Sequence, residues 1–251
     1  MQDLNGKVAL VTGSTTGIGR AAAVTLAQHG VRLALHGVDE ARGADALNEV
    51  RLLQPDSIFI SQNLLEPEAP ARIIGRIREQ FGKLDIIVNN AALVCSKPLE
   101  NIEHTDWDRL FAVNVKAPFF IVQAALDLLK TSKGTVVNVS SINRLVNCPN
   151  NLVYDAMKAA LNHMTRGLSL DLRSSDIRVN ALMPGGTTTP LLNKWFEQQN
   201  YSPEETQSLI QGKKNIATPQ QIADGIAFLC SEQSSWINGA EIPIDGGYFI
   251  G

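Results

Sequence analysis

The chain has 251 residues, 44% of them apolar, and a formal net charge of −3, so it can bury a substantial core and carries no basic stripe for nucleic acid. Its charges are scattered, and the longest apolar runs, Val8 to Val11 and Ile86 to Val88, fall far short of a membrane span. Cys95, Cys148 and Cys230 are odd in number and lack metal-type spacing, and Met1-Gln2-Asp3-Leu4 is no secretory signal; free thiols in a reducing cytoplasm are expected.

In chain order, β-branched apolar runs alternate with stretches of helical spacing. A strand is predicted at 7–12 and a helix at 20–29, then a strand at 32–35 and a helix at 40–53. Strands at 57–60, 84–88 and 135–139 follow, separated by helices at 68–81 and 107–130. The rest of the chain reads as a helix at 153–174, a strand at 178–182, a helix at 219–230 and a last strand at 241–244. The strands show little polar alternation, as expected for burial on both faces. Strict strand–helix alternation implies one α/β domain, a doubly wound parallel sheet with right-handed crossovers and helices on both faces. No linker or repeat divides it. Residues 185–218 are too long for a simple crossover, and such insertions at strand ends usually cover a ligand.

Directly after the first strand comes Thr12-Gly13-Ser14-Thr15-Thr16-Gly17-Ile18-Gly19-Arg20, opening into a helix. Glycines there permit a tight turn and close approach to a diphosphate, and the N–H groups and dipole of the helix start favour the anion. An ordinary glycine-rich turn is the competing explanation. Further along stand Asn89-Asn90-Ala91 after the fourth strand, Asn114 in the next helix, Ser141 after the fifth strand, Tyr154-x-x-x-Lys158, and Pro184-Gly185 after the sixth. Each motif alone is weak. In this order, over about 7–247, they resemble the short-chain dehydrogenase/reductase family, whose fold is of the Rossmann type.

That resemblance implies an NAD(P)-dependent oxidoreductase interconverting a secondary alcohol, sugars and polyols included, with a ketone. It assigns the cofactor to Gly13, Thr15, Thr16, Gly17, Ile18, Gly19, Asn90, Ala91, Pro184, Gly185 and Thr189, the last being equally suited to a helix cap. At the end of the second strand, Gly37 stands where an NAD-selecting carboxylate would be and Val38 where an NADP-selecting arginine often is. Asp39 reads better as a helix start. With no carboxylate to repel a 2′-phosphate, NADP is slightly favoured over NAD. Asn63 replaces an aspartate that bonds the adenine amino group, with Leu64 beside it.

Tyr154 and Lys158 lie four apart on one helix face. A phenol titrates near ~10, too high for a base at neutral pH. An ammonium at about 4 Å and an effective dielectric of ~20 contributes roughly 4 kcal/mol, on the order of three pH units, so the lysine is expected to lower the phenol. The pair can then exchange a proton with an alcohol or carbonyl. By resemblance Lys158 also bonds the nicotinamide ribose. Ser141, preferred over Ser140 by its register with Tyr154, holds the substrate oxygen. Asn114 supports a water relay.

Substrate-facing candidates are Cys95, Ser141, Asn143 and Gly186, among Leu93 to Ser96, Ile142 to Asn147 and 191–196. Cys95 reads better as an inert buried thiol, and the asparagines here would suit a sugar or polyol, though Asn147, Asn150 and Asn151 read better as turn residues. Trp195 and Phe196 read as a lid or as the buried side of a short helix. His36, His104 and His163 show no ligand spacing, so no metal is expected. The expected partner is a small alcohol or carbonyl compound, with neither nucleic acid nor membrane. The resemblance implies a homotetramer, for which the apolar end Tyr248-Phe249-Ile250-Gly251 would suit burial. Two alternatives are a reductase of β-ketoacyl groups on an acyl carrier protein and a non-catalytic nucleotide-binding regulator. Lys213 and Lys214 offer little basic surface for an acidic carrier. The intact Asn114, Ser141, Tyr154 and Lys158 set disfavours a regulator.

Overall fold

The computed structural model describes residues 1–202, 204–205 and 216–250. Lys213, Lys214, Gly251 and part of the 185–218 insertion lie outside the described residues. Seven parallel strands form one sheet in the order β3-β2-β1-β4-β5-β6-β7. They are β1 Val8–Val11, β2 Arg32–Gly37, β3 Ile58–Ser61, β4 Ile86–Asn89, β5 Thr135–Val139, β6 Arg178–Pro184 and β7 Glu241–Ile244. The order reverses between β1 and β4, which leaves a crevice at their carboxyl ends. The glycine turn follows β1 and Asn90 follows β4, so both sit at that crevice.

The helices are α1 Gly17–Gln28, α2 Glu40–Arg51, α3 Ala69–Phe81, α4 His104–Phe111, α5 Ala117–Ala124 and α6 Leu126–Ser132. After them come α7 Leu152–Leu172, α8 Pro190–Gln198 and α9 Pro219–Cys230. Alternation along β1 builds two cores. Ala9 and Val11 pack with Ala22 and Leu26 of α1 and Ile222 and Ile226 of α9. Val8 and Leu10 point the other way, onto Ile73 and Ile77 of α3 and Ile121 of α5. Each fully buried Ile or Leu contributes roughly 1.5–3 kcal/mol.

The helix predicted over 107–130 is not continuous. After α4 the chain widens into a π-helical turn, Ala112–Lys116, before α5, and Ala125 separates α5 from α6. The π turn centres on Asn114, whose side chain bonds backbone outside the helix, a common setting for such a bulge.

A buried polar ladder sets α7 against the sheet. Asn89 donates to Asn138 (2.8 Å), Asn138 donates to the Thr165 hydroxyl (2.8 Å), and that hydroxyl donates to the Leu161 carbonyl (2.8 Å). Buried polar groups must find partners, so this ladder constrains where α7 lies on β5. Tyr154 and Lys158 ride on α7, two to three turns from Thr165.

Candidate active site

The glycine turn is held by side chains from three strand ends. Asn90 Nδ2 donates to the carbonyls of Thr12 (2.9 Å) and Gly13 (3.0 Å), while Thr12 Oγ1 accepts the N–H groups of Asn90 and Ala91 (3.0 Å each). A Cβ on Gly19 would come 2.4 Å from Asn90 Nδ2 and 2.3 Å from the Gly13 carbonyl oxygen, so only glycine fits. Gly13, at φ 62°, presents its N–H to Nδ1 of His36 at 3.4 Å. His36 is buried and its Nε2 lies 3.0 Å from the Gln62 carbonyl. Since Nδ1 faces a donor, Nε2 carries the proton, and burial pushes the imidazole down to about 4. His36 was not legible as a site residue; its signal, a lone histidine in a buried strand, has no spacing to mark it.

This turn fits a dinucleotide. Thr16 occupies the N-cap of α1 without a side-chain cap bond, and the first turn holds no acidic residue, so the leading N–H groups and helix dipole remain available to an anion. Gly17 faces the methyl of Thr189.

At the end of β2, Gly37 backs onto the Thr15 methyl and the Phe59 ring, and Val38 is 67% exposed. Asp39 caps α2, accepting the Arg42 N–H at 3.0 Å and pairing with its guanidinium at 3.3 Å. Asn63 Oδ1 accepts the Leu65 N–H (3.1 Å), and the Leu64 side chain belongs to the core.

From this crevice a cavity of about 270 Å³ runs toward α7. Ile18, Asn90, Ser141, Asn143, Tyr154, Lys158, Pro184, Gly185, Gly186 and Thr189 all line it. The sequence-predicted groups thus converge from β1, β4, β5, α7 and β6. The Tyr154 hydroxyl sits close enough to Ser141 for the serine to pull the phenol down. Ser140 instead donates to the Lys158 carbonyl (3.3 Å), which leaves Ser141 as the partner of the phenol. Lys158 Nζ donates to the Val139 carbonyl at 2.8 Å and lies 5.5 Å from the Tyr154 ring centre.

The expected acidification of the phenol does not occur. Burial pushes Tyr154 well above its ordinary value, with the Ser141 bond pulling the other way, and burial drives Lys158 down to about 7. Burial is the leading cause for both groups, and it favours the neutral form of the amine as well as of the phenol.

Asn114 is buried, and its amide bonds both backbone groups of Leu93, accepting its N–H (2.8 Å) and donating to its carbonyl (2.9 Å). It therefore fastens the segment after β4. Thr189 caps α8, accepting the Leu192 N–H at 3.2 Å, and donates to the Thr187 carbonyl. Cys95 does not reach the cavity. It packs with Leu110, Val115, Val153 and Met157, because the segment after β4 turns that side chain under α4. Asn143 reaches the cavity edge, yet its amide is engaged by Ser141 and Asp155. Arg144 turns away to Glu241 (2.7 Å).

The opposite walls are apolar: Val94, Ile142, Leu191, Leu192 and an aromatic group of Trp195, Phe196 and Tyr201 with ring centres 5.2–6.5 Å apart. Phe196 is the buried side of α8, and both Trp195 and Phe196 line the cavity. Sequence reasoning missed what holds α8 down. Gln198 accepts the Ser96 N–H (3.0 Å), and Gln199 donates to Ser96 Oγ (2.6 Å) and the Pro149 carbonyl (2.9 Å). Asp155 was missed as well, although an acid in the first turn of α7 beside Tyr154 is a visible signal.

A family profile described as enoyl-(acyl carrier protein) reductase matches residues 13–249. A cyclopentanol dehydrogenase from Comamonas testosteroni is 31% identical over 99% of both chains. A 3beta-hydroxysteroid dehydrogenase from Mediterraneibacter gnavus is 32% identical over 96% of this chain and 94% of that one. Among solved structures, a levodione reductase superposes with a TM-score of 0.91 at 27% identity, over 98% of each chain.

Proposed function

This chain belongs to the short-chain dehydrogenase/reductase family and is an NAD(P)-dependent oxidoreductase of CH–OH groups; on that premise we propose that its substrate is an apolar cyclic secondary alcohol or the matching ketone, with Tyr154 as acid and base. The observation that carries this is the confluence of Ser141, Tyr154 and Lys158 on one cavity that begins at the glycine turn. Their polar groups sit at one end, and apolar side chains form the other walls. Of the asparagines that would suit a polyol, Asn143 and Asn151 donate to Asp155, Asn150 donates to Gln199, and Asn147 does not line the cavity. A cavity near 270 Å³ lies just below the ~300–1,000 Å³ usual for ligand sites, which suits a single ring beside the cofactor. Ring alcohols are likewise what the names of the cyclopentanol and 3beta-hydroxysteroid relatives state for those proteins.

Gly13, Gly17, Ile18, Gly19, Asn90, Pro184 and Lys158 would hold the dinucleotide. Bound there, it supplies the hydride donor or acceptor. A phenol held above its usual value is protonated at neutral pH, the form that donates to a carbonyl oxygen as negative charge develops on it. Ser141, whose proton rests on the Asn143 amide oxygen, would turn it to the same oxygen as a second donor. Lys158, close to half-charged at neutral pH, returns protons toward Tyr154. Asn114 keeps the segment after β4 in place beside the ring.

Asp39 is committed to Arg42 and α2, so no carboxylate at the end of β2 opposes a 2′-phosphate, which favours NADP. We infer a homotetramer joined through α4, α5 and α7, where Trp107, Phe111, Phe119 and Phe120 remain 37–46% exposed. Among the described residues Cys95, Cys148 and Cys230 form no disulfide, in accord with a reducing, cytoplasmic setting.

The test is a screen at the reduced-cofactor absorbance band, using NADP and NAD with cyclopentanol, cyclohexanol, sorbitol and a linear secondary alcohol. Cyclic alcohols should lead. Preference for sorbitol would overturn the substrate class, and silence on every alcohol with cofactor bound would overturn the catalytic reading.

A further inference from the structure

The carboxylate of Asp155 is 5% exposed and takes three hydrogen bonds, from Asn143 Nδ2 (2.8 Å), Asn151 Nδ2 (2.9 Å) and the Cys148 N–H (3.3 Å). All three donors belong to the segment between β5 and α7, so one buried side chain on the catalytic helix organises the whole connection. A buried carboxylate needs such donors, since without them its desolvation would be prohibitive.

The bond to Asn143 carries further. A carboxylate only accepts, so the amide must turn its NH2 toward Asp155 and its oxygen the other way. That oxygen meets the Ser141 hydroxyl at 3.3 Å, while the Asn143 N–H donates to Ser141 Oγ at 3.1 Å. Ser141 thus has its proton directed and one of its lone pairs occupied. The other lone pair is left for the Tyr154 hydroxyl beside it. Freed of Asp155, the Asn143 amide could flip and offer Ser141 a second donor, which would compete with the Tyr154 hydroxyl for the remaining lone pair.

We propose that Asp155 is a positioning residue for the reaction: by fixing the orientation of the Asn143 amide, it keeps a lone pair of Ser141 for the Tyr154 hydroxyl and so holds the phenol where it meets the substrate oxygen. This rests on the reading of Ser141 and Tyr154 as the groups at that oxygen. The role is in orientation, not in proton transfer, and it places the determinant of Ser141 in a residue that does not line the cavity.

The test compares Asp155→Asn, Asn143→Ala and Ser141→Ala, alone and combined, in the full chain with whichever of cyclopentanol or cyclohexanol is oxidised. Asp155→Asn and Asn143→Ala should each lower kcat about tenfold or more with KM changed by less than about threefold, and together do no more than either alone. In the Ser141→Ala background, Asp155→Asn should then change kcat by less than about twofold. A merely structural brace would act independently of Ser141. Full multiplicative loss in that background overturns the proposal, as does an Asn143→Ala enzyme with undiminished kcat, which decides the matter even where Asp155→Asn does not fold. Undiminished kcat in Ser141→Ala, or no oxidation of any alcohol by the unaltered enzyme, overturns the underlying reading and this proposal with it.

Discussion

Lys158 Nζ lies under the Tyr154 ring, 5.5 Å from its centre, and its hydrogen bond runs to the Val139 carbonyl at 2.8 Å. The amine is therefore anchored on β5 while its neighbour faces the cavity. Both groups are desolvated, which holds the phenol protonated and the amine near neutrality. The proposed proton donation by Tyr154 and resupply by Lys158 would draw on this pairing.

Tyr154→Phe should cost about 10³-fold in kcat, within the range for loss of a general acid, while cofactor affinity stays within about threefold. Steady-state rates and a cofactor fluorescence titration measure the two quantities. A phenylalanine enzyme retaining a tenth of the rate would remove Tyr154 from the chemistry.

Lys158→Met should abolish most turnover and stabilise the protein. The folded-state value near 7 lies below the ordinary 10.5, so the unfolded chain binds a proton the folded one sheds between those values. The burial cost is on the order of 4 kcal/mol, present in full below pH 7 and relieved as pH rises toward 10.5. At pH 7 the methionine variant should melt roughly 5 °C higher, some of the gain being lost with the bond to Val139. Calorimetry across pH 7–10 should show the difference shrinking; an unchanged Tm at neutral pH would contradict the assignment.

Introducing a carboxylate at the end of β2 should switch the cofactor. A Cβ at Gly37 would stand 2.6 Å from the Thr15 methyl, so Gly37→Asp is best made with Thr15→Ser. The NADP-to-NAD ratio of kcat/KM should fall by about tenfold or more, through repulsion of the 2′-phosphate. An unmoved ratio would place cofactor selection elsewhere.

His36 makes the glycine turn acid-sensitive. Its folded-state value of about 4 lies below the ordinary 6.5, so no stability is lost above pH 6.5, and the loss grows as pH falls toward 4. It reaches on the order of 3 kcal/mol below pH 4. His36→Asn, which keeps an acceptor for the Gly13 N–H, should flatten the urea-midpoint profile between pH 4 and 6.5 at some expense of stability at pH 7. A profile as steep as that of the unaltered protein would exclude His36 as its source.

The strand–helix order, the glycine turn after β1 and the placing of Ser141, Tyr154 and Lys158 at strand and helix ends were all readable from the chain. Those features are written in neighbouring residues, as apolar periodicity and backbone permissiveness. Other properties were settled by elements that meet only on folding. Cys95 turned into the cluster under α4, and the helix around Asn114 opened to reach Leu93. The charge states of Tyr154 and Lys158 reversed expectation for the same reason. Spacing along a helix says that two groups are close, whereas desolvation depends on β5, α8 and the segment between β5 and α7 closing around them, and that burial is what sets their protonation.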